Sequence, residues 1–128
     1  MIQFAEESMR EPLKALWVEC FGDSNDYVEL YFAQHDITRH TMVFIDGENP
    51  VSMLSLLPMT VVTQAGILPA RYIYAVATKE SYRGRGLSTK LLEAAHKQMK
   101  NQGIALSVLV PASVALYNFY QKRGFDAA

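Results

Sequence analysis

Cysteine is almost absent from this 128-residue chain. Cys20 stands alone, which rules out a disulfide framework and a zinc site built from cysteines. A lone thiol fits a reducing, cytoplasmic compartment. Positive charge is not in excess either. Twelve Lys and Arg against thirteen Asp and Glu leave a formal net charge of −1. A general nucleic-acid binder would carry a strongly basic footprint, so nucleic acid is not expected as a partner. No apolar run approaches the roughly 20 residues that a membrane helix needs. The opening Met1-Ile2-Gln3-Phe4-Ala5-Glu6-Glu7 lacks the basic region and apolar stretch of a secretory signal. Repeats, low-complexity tracts and flexible linkers are also missing. So is the Gly-x-x-x-x-Gly-Lys run of a P-loop. What is present is the balance of a globular protein, with 50% hydrophobic and 20% charged residues. At this length one soluble domain with a core of its own is expected.

The pattern along the chain alternates strands and helices. Ile2 and Phe4 open a short strand, and a helix follows from Ser8 or Glu11 to Phe21. Ser8 and Glu11 have the spacing of a capping box, whereas Pro12 suits a first helical position, so two starts compete. Gly22-Asp23-Ser24-Asn25 breaks the chain and offers a cap for a second helix through Gln34. Strands are predicted at Thr41–Asp46, Val51–Thr63 and Arg71–Thr78, joined by turns at Gly47–Pro50 and Gln64–Gly66. A helix from Leu87 to Gln102 carries Leu87, Leu91, Ala94, Ala95 and Met99 as one apolar stripe. Ile104–Val110 reads as a buried strand, and a last helix spans Ser113–Lys122. The fold class is α/β (α+β): antiparallel hairpins first, then strand–helix–strand–helix.

Two segments carry chemistry. In Arg83-Gly84-Arg85-Gly86-Leu87-Ser88-Thr89 a strand runs through a glycine-bearing turn into a helix. Glycines let backbone amides converge, and the first helical turn has unpaired N–H groups at the positive end of the dipole. That arrangement suits a phosphate or pyrophosphate, with Arg83, Arg85 and Lys90 adding charge. A tight connection carrying solvated arginines explains the glycine spacing equally well. The glycines do not match a Rossmann fingerprint, which needs a third glycine early in the chain and an acid about 20 residues on. In the second segment, Tyr117 and Tyr120 are three apart on the last helix and share a face. A tyrosine hydroxyl there can protonate a developing anion, or the rings can simply fill a core.

Taken together the segments resemble a family. Arg83-Gly84-Arg85-Gly86-Leu87-Ser88 is similar to the Gln/Arg-x-x-Gly-x-Gly/Ala signature of the GNAT superfamily, the acetyl-CoA-dependent N-acetyltransferases. Tyr120-Gln121-Lys122-Arg123-Gly124-Phe125 resembles its later Tyr-x-Lys-x-Gly-Phe segment, at fitting distance. Val76-Ala77-Thr78 and Leu109-Val110-Pro111-Ala112 resemble a bacterial branch whose members carry a further C-terminal region. The resemblance implies a mixed, mostly antiparallel sheet whose fourth and fifth strands are parallel and splay apart at a bulge near Val76–Thr78. Acetyl-CoA, the implied co-substrate, would lay its pantetheine along Val76, Ala77 and Thr78. Its pyrophosphate would meet the amides of Arg83, Gly84, Arg85, Gly86, Leu87, Ser88 and Thr89. Ser113 stands where many relatives have Asn, Ser88 where the signature has Gly or Ala, and Glu80 where proline is frequent.

A small-molecule or peptide amine would attack the thioester directly, with Tyr120 as first choice for the acid and Tyr117 second. Cys20, far from both motifs in sequence, is read as packing. His35, His40 and Glu29 fall where this family borders its acceptor site, but each is read first as a solvated residue. No metal is implied. The alternative is an acyl-CoA-binding or interaction module without catalysis. Family members continue past Gly-Phe into two more strands, so the stop at Asp126-Ala127-Ala128 reads as C-terminally incomplete. The Ile104–Val110 edge is accordingly expected to pair with another copy or with sequence after Ala128.

Overall fold

A computed structural model of the chain describes residues 1–104 and 106–109. Its elements are β1 (Ile2–Phe4), α1 (Arg10–Phe21), α2 (Asn25–Gln34), α3 (Ile37–His40), β2 (Thr41–Asp46), β3 (Asn49–Thr63), β4 (Gly66–Thr78), α4 (Leu87–Asn101) and β5 (Leu106–Val108). Short 3-10 turns at Glu7–Met9 and Glu80–Tyr82 precede α1 and α4. The strands form one sheet in the order β1-β2-β3-β4-β5, antiparallel except for the parallel β4–β5 pair.

Local chemistry explains the helix ends. Neither expected start of α1 is used. The 3-10 turn leads directly into Arg10, and no side chain caps the helix. Pro12 becomes its third residue, where a missing N–H costs nothing because that amide has no helical partner. Gly22 ends α1 with φ 66°, a left-handed C-cap. The Ser24 hydroxyl caps α2 by accepting the Tyr27 amide at 3.3 Å. Asp36 does the same for Thr38 at 3.0 Å and so creates α3, a single turn that hydrophobic periodicity cannot reveal.

The sheet divides two layers. α1 and α2 pack Leu13, Leu16, Trp17, Val28, Tyr31 and Phe32 against one face. α4 packs Leu91, Leu92, Ala95 and Met99 against the other. β4 is longer than predicted, starting at Gly66 rather than Arg71. Its first residues pair with the end of β3, from Thr63↔Gly66 to Thr60↔Pro69, as a ribbon extending beyond the β2 pairing, which ends at Ser55. Pro69 does not prevent this, because a two-stranded ribbon tolerates a residue without an N–H on an outer edge.

Alternation along β4 breaks at one place. Tyr74, Ala75 and Ala77 join the α1/α2 core, whereas Ile73 and Val76 join the α4 core. Neighbouring Tyr74 and Ala75 on one face mark a bulge, and Ala75 takes a φ of 56°. On β3 the register accordingly jumps between Met53↔Ala77 and Ser55↔Tyr74.

Candidate functional site

The bulge lies just beyond the last described β4–β5 pair, where the resemblance implies that the two strands splay. Pairing between them covers Ala70↔Leu106, Arg71↔Ser107 and Tyr72↔Val108, and β4 then runs on to Thr78. The bulge lies at Ala75–Val76, at the near edge of the stretch expected from the sequence. Val76 and Thr78 are half-buried and Ala77 is buried. The Ser52 hydroxyl donates to the Ala77 carbonyl at 3.0 Å, so the Thr78 hydroxyl, 2.9 Å away, donates to Ser52. The strand end is thus clamped from the β3 side.

Cys20 is not remote from this region. Its Sγ donates to the Thr78 carbonyl at 3.4 Å, and the Arg83 guanidinium lies 3.6 Å from the sulfur. Sequence distance misled here because α1 crosses the end of β4. The same carbonyl accepts from Arg83 Nε at 3.0 Å. Arg83 is therefore turned back to brace the strand end.

After Thr78 the chain makes the Glu80–Tyr82 turn and enters the glycine loop. Gly84 and Gly86 hold φ of 80° and 73°, conformations that side chains resist. Among the described residues a Cβ at either position would meet nothing within 4 Å, so there the loop backbone borders open space. Gly86 occupies the N-cap of α4 without a capping side chain. The first helical bond runs from the Lys90 amide to the Gly86 carbonyl at 3.1 Å, so the amides of Leu87, Ser88 and Thr89 precede the helical ladder. The Leu87 side chain is buried and anchors the turn, while Ser88 and Thr89 are half-buried. Arg85 lies over the Tyr82 ring at 4.7 Å. Tyr82 donates to Asp46, and that bond pushes the phenol above its ordinary range. The Glu80 amide donates to Glu19 at 3.0 Å. The loop is therefore held from α1 and from the end of β2. Ser113, Tyr117 and Tyr120 lie outside the described residues.

On the α1/α2 face, beside the splay, sits a group of rings that motif reading missed. Trp17 packs against Tyr31 at 4.5 Å with the rings tilted by 45°, and meets Tyr74 at 5.8 Å. The hydroxyls of Tyr27 and Tyr74 are 2.8 Å apart, and Tyr31 donates to Ser55 at 2.9 Å. Burial, then the Tyr27 contact, raises the Tyr74 phenol well above its ordinary value. A signal for the cluster exists: Tyr27 and Tyr31 are i, i+4 on a helix, and Tyr72 and Tyr74 are i, i+2 on a strand. The three residues noted for the acceptor side diverge. Glu29 pairs with Lys14 at 2.9 Å, His35 stacks on Tyr31 at 4.2 Å, and His40 lines a cavity on another part of the molecule. Among the described residues no group of acids, histidines and cysteines could hold a metal. Among them, too, no helix is long and apolar enough to cross a membrane.

The family model described as acetyltransferase (GNAT) domain matches residues 1–128. The chain belongs to the GNAT family. No curated protein matches it. Among solved structures, a GCN5-related N-acetyltransferase from Anabaena variabilis is 25% identical with a TM-score of 0.83. The match covers 93% of this chain but only 30% of that one, so this GNAT chain spans under a third of that protein. An acetyltransferase from Trypanosoma brucei is also 25% identical, with a TM-score of 0.79, covering 100% of this chain and 93% of the other. AAC(6')-Iy, solved with the bisubstrate analogue CoA-S-monomethyl-acetylneamine, shares the fold at 15% identity and a TM-score of 0.79, covering 99% and 90%. The parallel β4–β5 pair in a mostly antiparallel sheet is the GNAT arrangement expected from the sequence.

Proposed function

We propose that this GNAT domain transfers an acetyl group from acetyl-CoA to a primary amine of a small molecule or peptide. One observation carries the reading: the stretch of β4 beyond its β5 pairing leads directly into an open glycine loop and the start of α4. A strand edge of this kind offers main-chain groups to the pantetheine at Val76, Ala77 and Thr78. The amides of Gly84 to Ser88 then hold the pyrophosphate, aided by the helix dipole; the Arg83 amide, expected to join them, donates instead to the Glu80 carbonyl at 3.2 Å. The CoA-derived analogue held by AAC(6')-Iy supports the same ligand class on this fold.

The chemistry needs little from side chains. The neutral amine attacks the thioester carbonyl, forming the C–N bond, and a backbone N–H at the Ala75–Val76 bulge stabilises the oxyanion. The C–S bond then breaks, and Tyr120, or failing it Tyr117, protonates the departing thiolate. The amine proton leaves through water. Much of the acceleration comes from holding two substrates in line. Cys20 takes no part, because its thiol is engaged behind the strand end.

The test combines calorimetric binding of acetyl-CoA with thiol release and product mass over a panel of primary amines. Binding with transfer is expected. Binding without transfer to any amine would instead indicate an acyl-CoA-binding module. Absence of binding overturns both.

A further inference from the structure

A second cavity lies at the far end of α4 from the glycine loop. It encloses about 360 Å³, within the range of small-ligand pockets. Its walls come from five separate parts of the chain. Thr38, Arg39 and His40 belong to α3, Arg71 to β4, Gln102 follows α4, and Phe4 and Leu56 bring apolar surface from β1 and β3. The fifteen residues of α4 separate it from the glycine loop by about 22 Å, so one small ligand cannot touch both.

The charge of the lining is one-sided. Arg39, Arg71 and His40 are among its lining residues, and no Asp or Glu lines it among the described residues. Asp36 is the acid that acts on Arg39 and His40. It is exposed, its Oδ1 already accepts the Thr38 amide and hydroxyl at 3.0 and 2.6 Å, and its Oδ2 reaches Arg39 only at 3.9 Å. Arg71 is half-buried and spends one donor on the Ala70 carbonyl at 3.0 Å, out of the five a guanidinium carries. The negative end of α4 does not compensate for these cations. Its last carbonyls are taken up by the amides of Gln102, Gly103 and Ile104 at 2.9 to 3.1 Å.

Cations gathered on a cavity without a facing acid repel one another, and an oxyanion relieves this while accepting several charge-assisted bonds. We propose that this cavity is a binding site for a small oxyanion of the carboxylate, phosphate or sulfate class, held by Arg71, Arg39 and His40. Gln102 supplies a neutral donor, and the Phe4 and Leu56 surface accepts an apolar part of the ligand. The site is separate from the splay and does not depend on the acetyltransferase reading. The state of His40 agrees with it. Burial lowers the imidazole pKa, with Arg71, His35 and Arg39 adding to the effect and Asp36 opposing it. A bound anion adds the missing opposite charge and moves the pKa up.

Sulfate is the suitable probe, because its charge is constant between about pH 5 and 8, where histidine titrates. The full chain is titrated with sodium sulfate against chloride at fixed ionic strength, following histidine ring resonances by NMR. A saturable shift of His40, with its titration midpoint displaced upward, is expected, and excess acetyl-CoA should leave it in place. Arg71→Gln should weaken sulfate binding at least about tenfold, as expected for loss of a charged hydrogen-bond partner. The exposed Arg39→Gln variant keeps the test available should Arg71→Gln fail to fold. A shift that does not saturate, an unchanged response in a folded variant, or displacement of sulfate by acetyl-CoA would each overturn the proposal.

Discussion

Gly86 holds a φ of 73° at the N-cap of α4, with open space where a side chain would project. Gly86→Val puts a β-branched residue where positive φ is strained and fills the space in front of the loop amides. Affinity for acetyl-CoA should fall strongly while circular dichroism still reports a folded domain; a folded variant with unchanged affinity removes the pyrophosphate assignment. Tyr120→Phe keeps a ring and loses the proton donor. Turnover should drop about 10²-fold or more with CoA binding little changed. Loss in Tyr117→Phe instead would exchange the two roles. The buried tyrosines also set a pH limit. Burial raises the Tyr31 and Tyr74 phenols above their ordinary value of 10.0. Neutral phenols are thus favoured in the fold, and the stability they contribute is complete below that value. It is lost as pH rises beyond about 10, because the unfolded chain then ionises first. Urea midpoints should be flat near neutrality and fall above that point, less steeply in Tyr74→Phe.

The element that matters most is α4, which begins at the glycine loop and ends beside the second cavity. Leu91 is fully buried in the core that α4 shares with β3 and β4. Leu91→Ala should cost about 2–5 kcal/mol by urea unfolding, since a cavity remains at a site that cannot collapse. Because the start of α4 positions the loop amides, acetyl-CoA binding should weaken in the same variant. A loss under 1 kcal/mol, on the order of a surface change, would show that α4 is not held as described. The β4–β5 pairing is likewise a property of elements. His96 on α4 meets the Ser107 hydroxyl of β5 at 3.1 Å, so the helix and the strand it leads into are tied where β5 still pairs with β4.

Across the whole molecule, charge is absent from one long stretch. Leu56 to Ala70 contains no Asp, Glu, Lys or Arg, and most of it forms the projecting β3–β4 ribbon. Val62 is 78% exposed and Ile67 69% exposed, on strand edges that lack the charges which usually discourage pairing. Association of two copies through this ribbon is therefore expected. Light scattering over a dilution series should show a mass that rises with concentration, and Val62→Lys should return the chain to a monomer. A wild-type monomer throughout the series would show that the edge is tolerated. The strand edge named from the sequence, Ile104–Val110, lies partly outside the described residues, so the ribbon now carries this expectation.

Element order and the glycine loop were legible in the chain because each depends on local chemistry, whereas the parallel final pair was implied by the family resemblance. Alternating side chains, left-handed glycines and an apolar helical stripe act over a few residues, and Arg83-Gly84-Arg85-Gly86 is contiguous. The one-turn α3 was not legible, since an Asp36 cap on a single turn leaves no periodicity. Nor was the early start of β4, whose first residues are ordered by pairing with the end of β3. Only the tertiary structure brought Cys20 to Thr78, Tyr27 to Tyr74, and Arg39, His40 and Arg71 around one cavity. These groups lie on separate elements, and their distances follow from how helices cross a sheet. Residue spacing along a chain does not carry that information, because packing of the buried faces decides it.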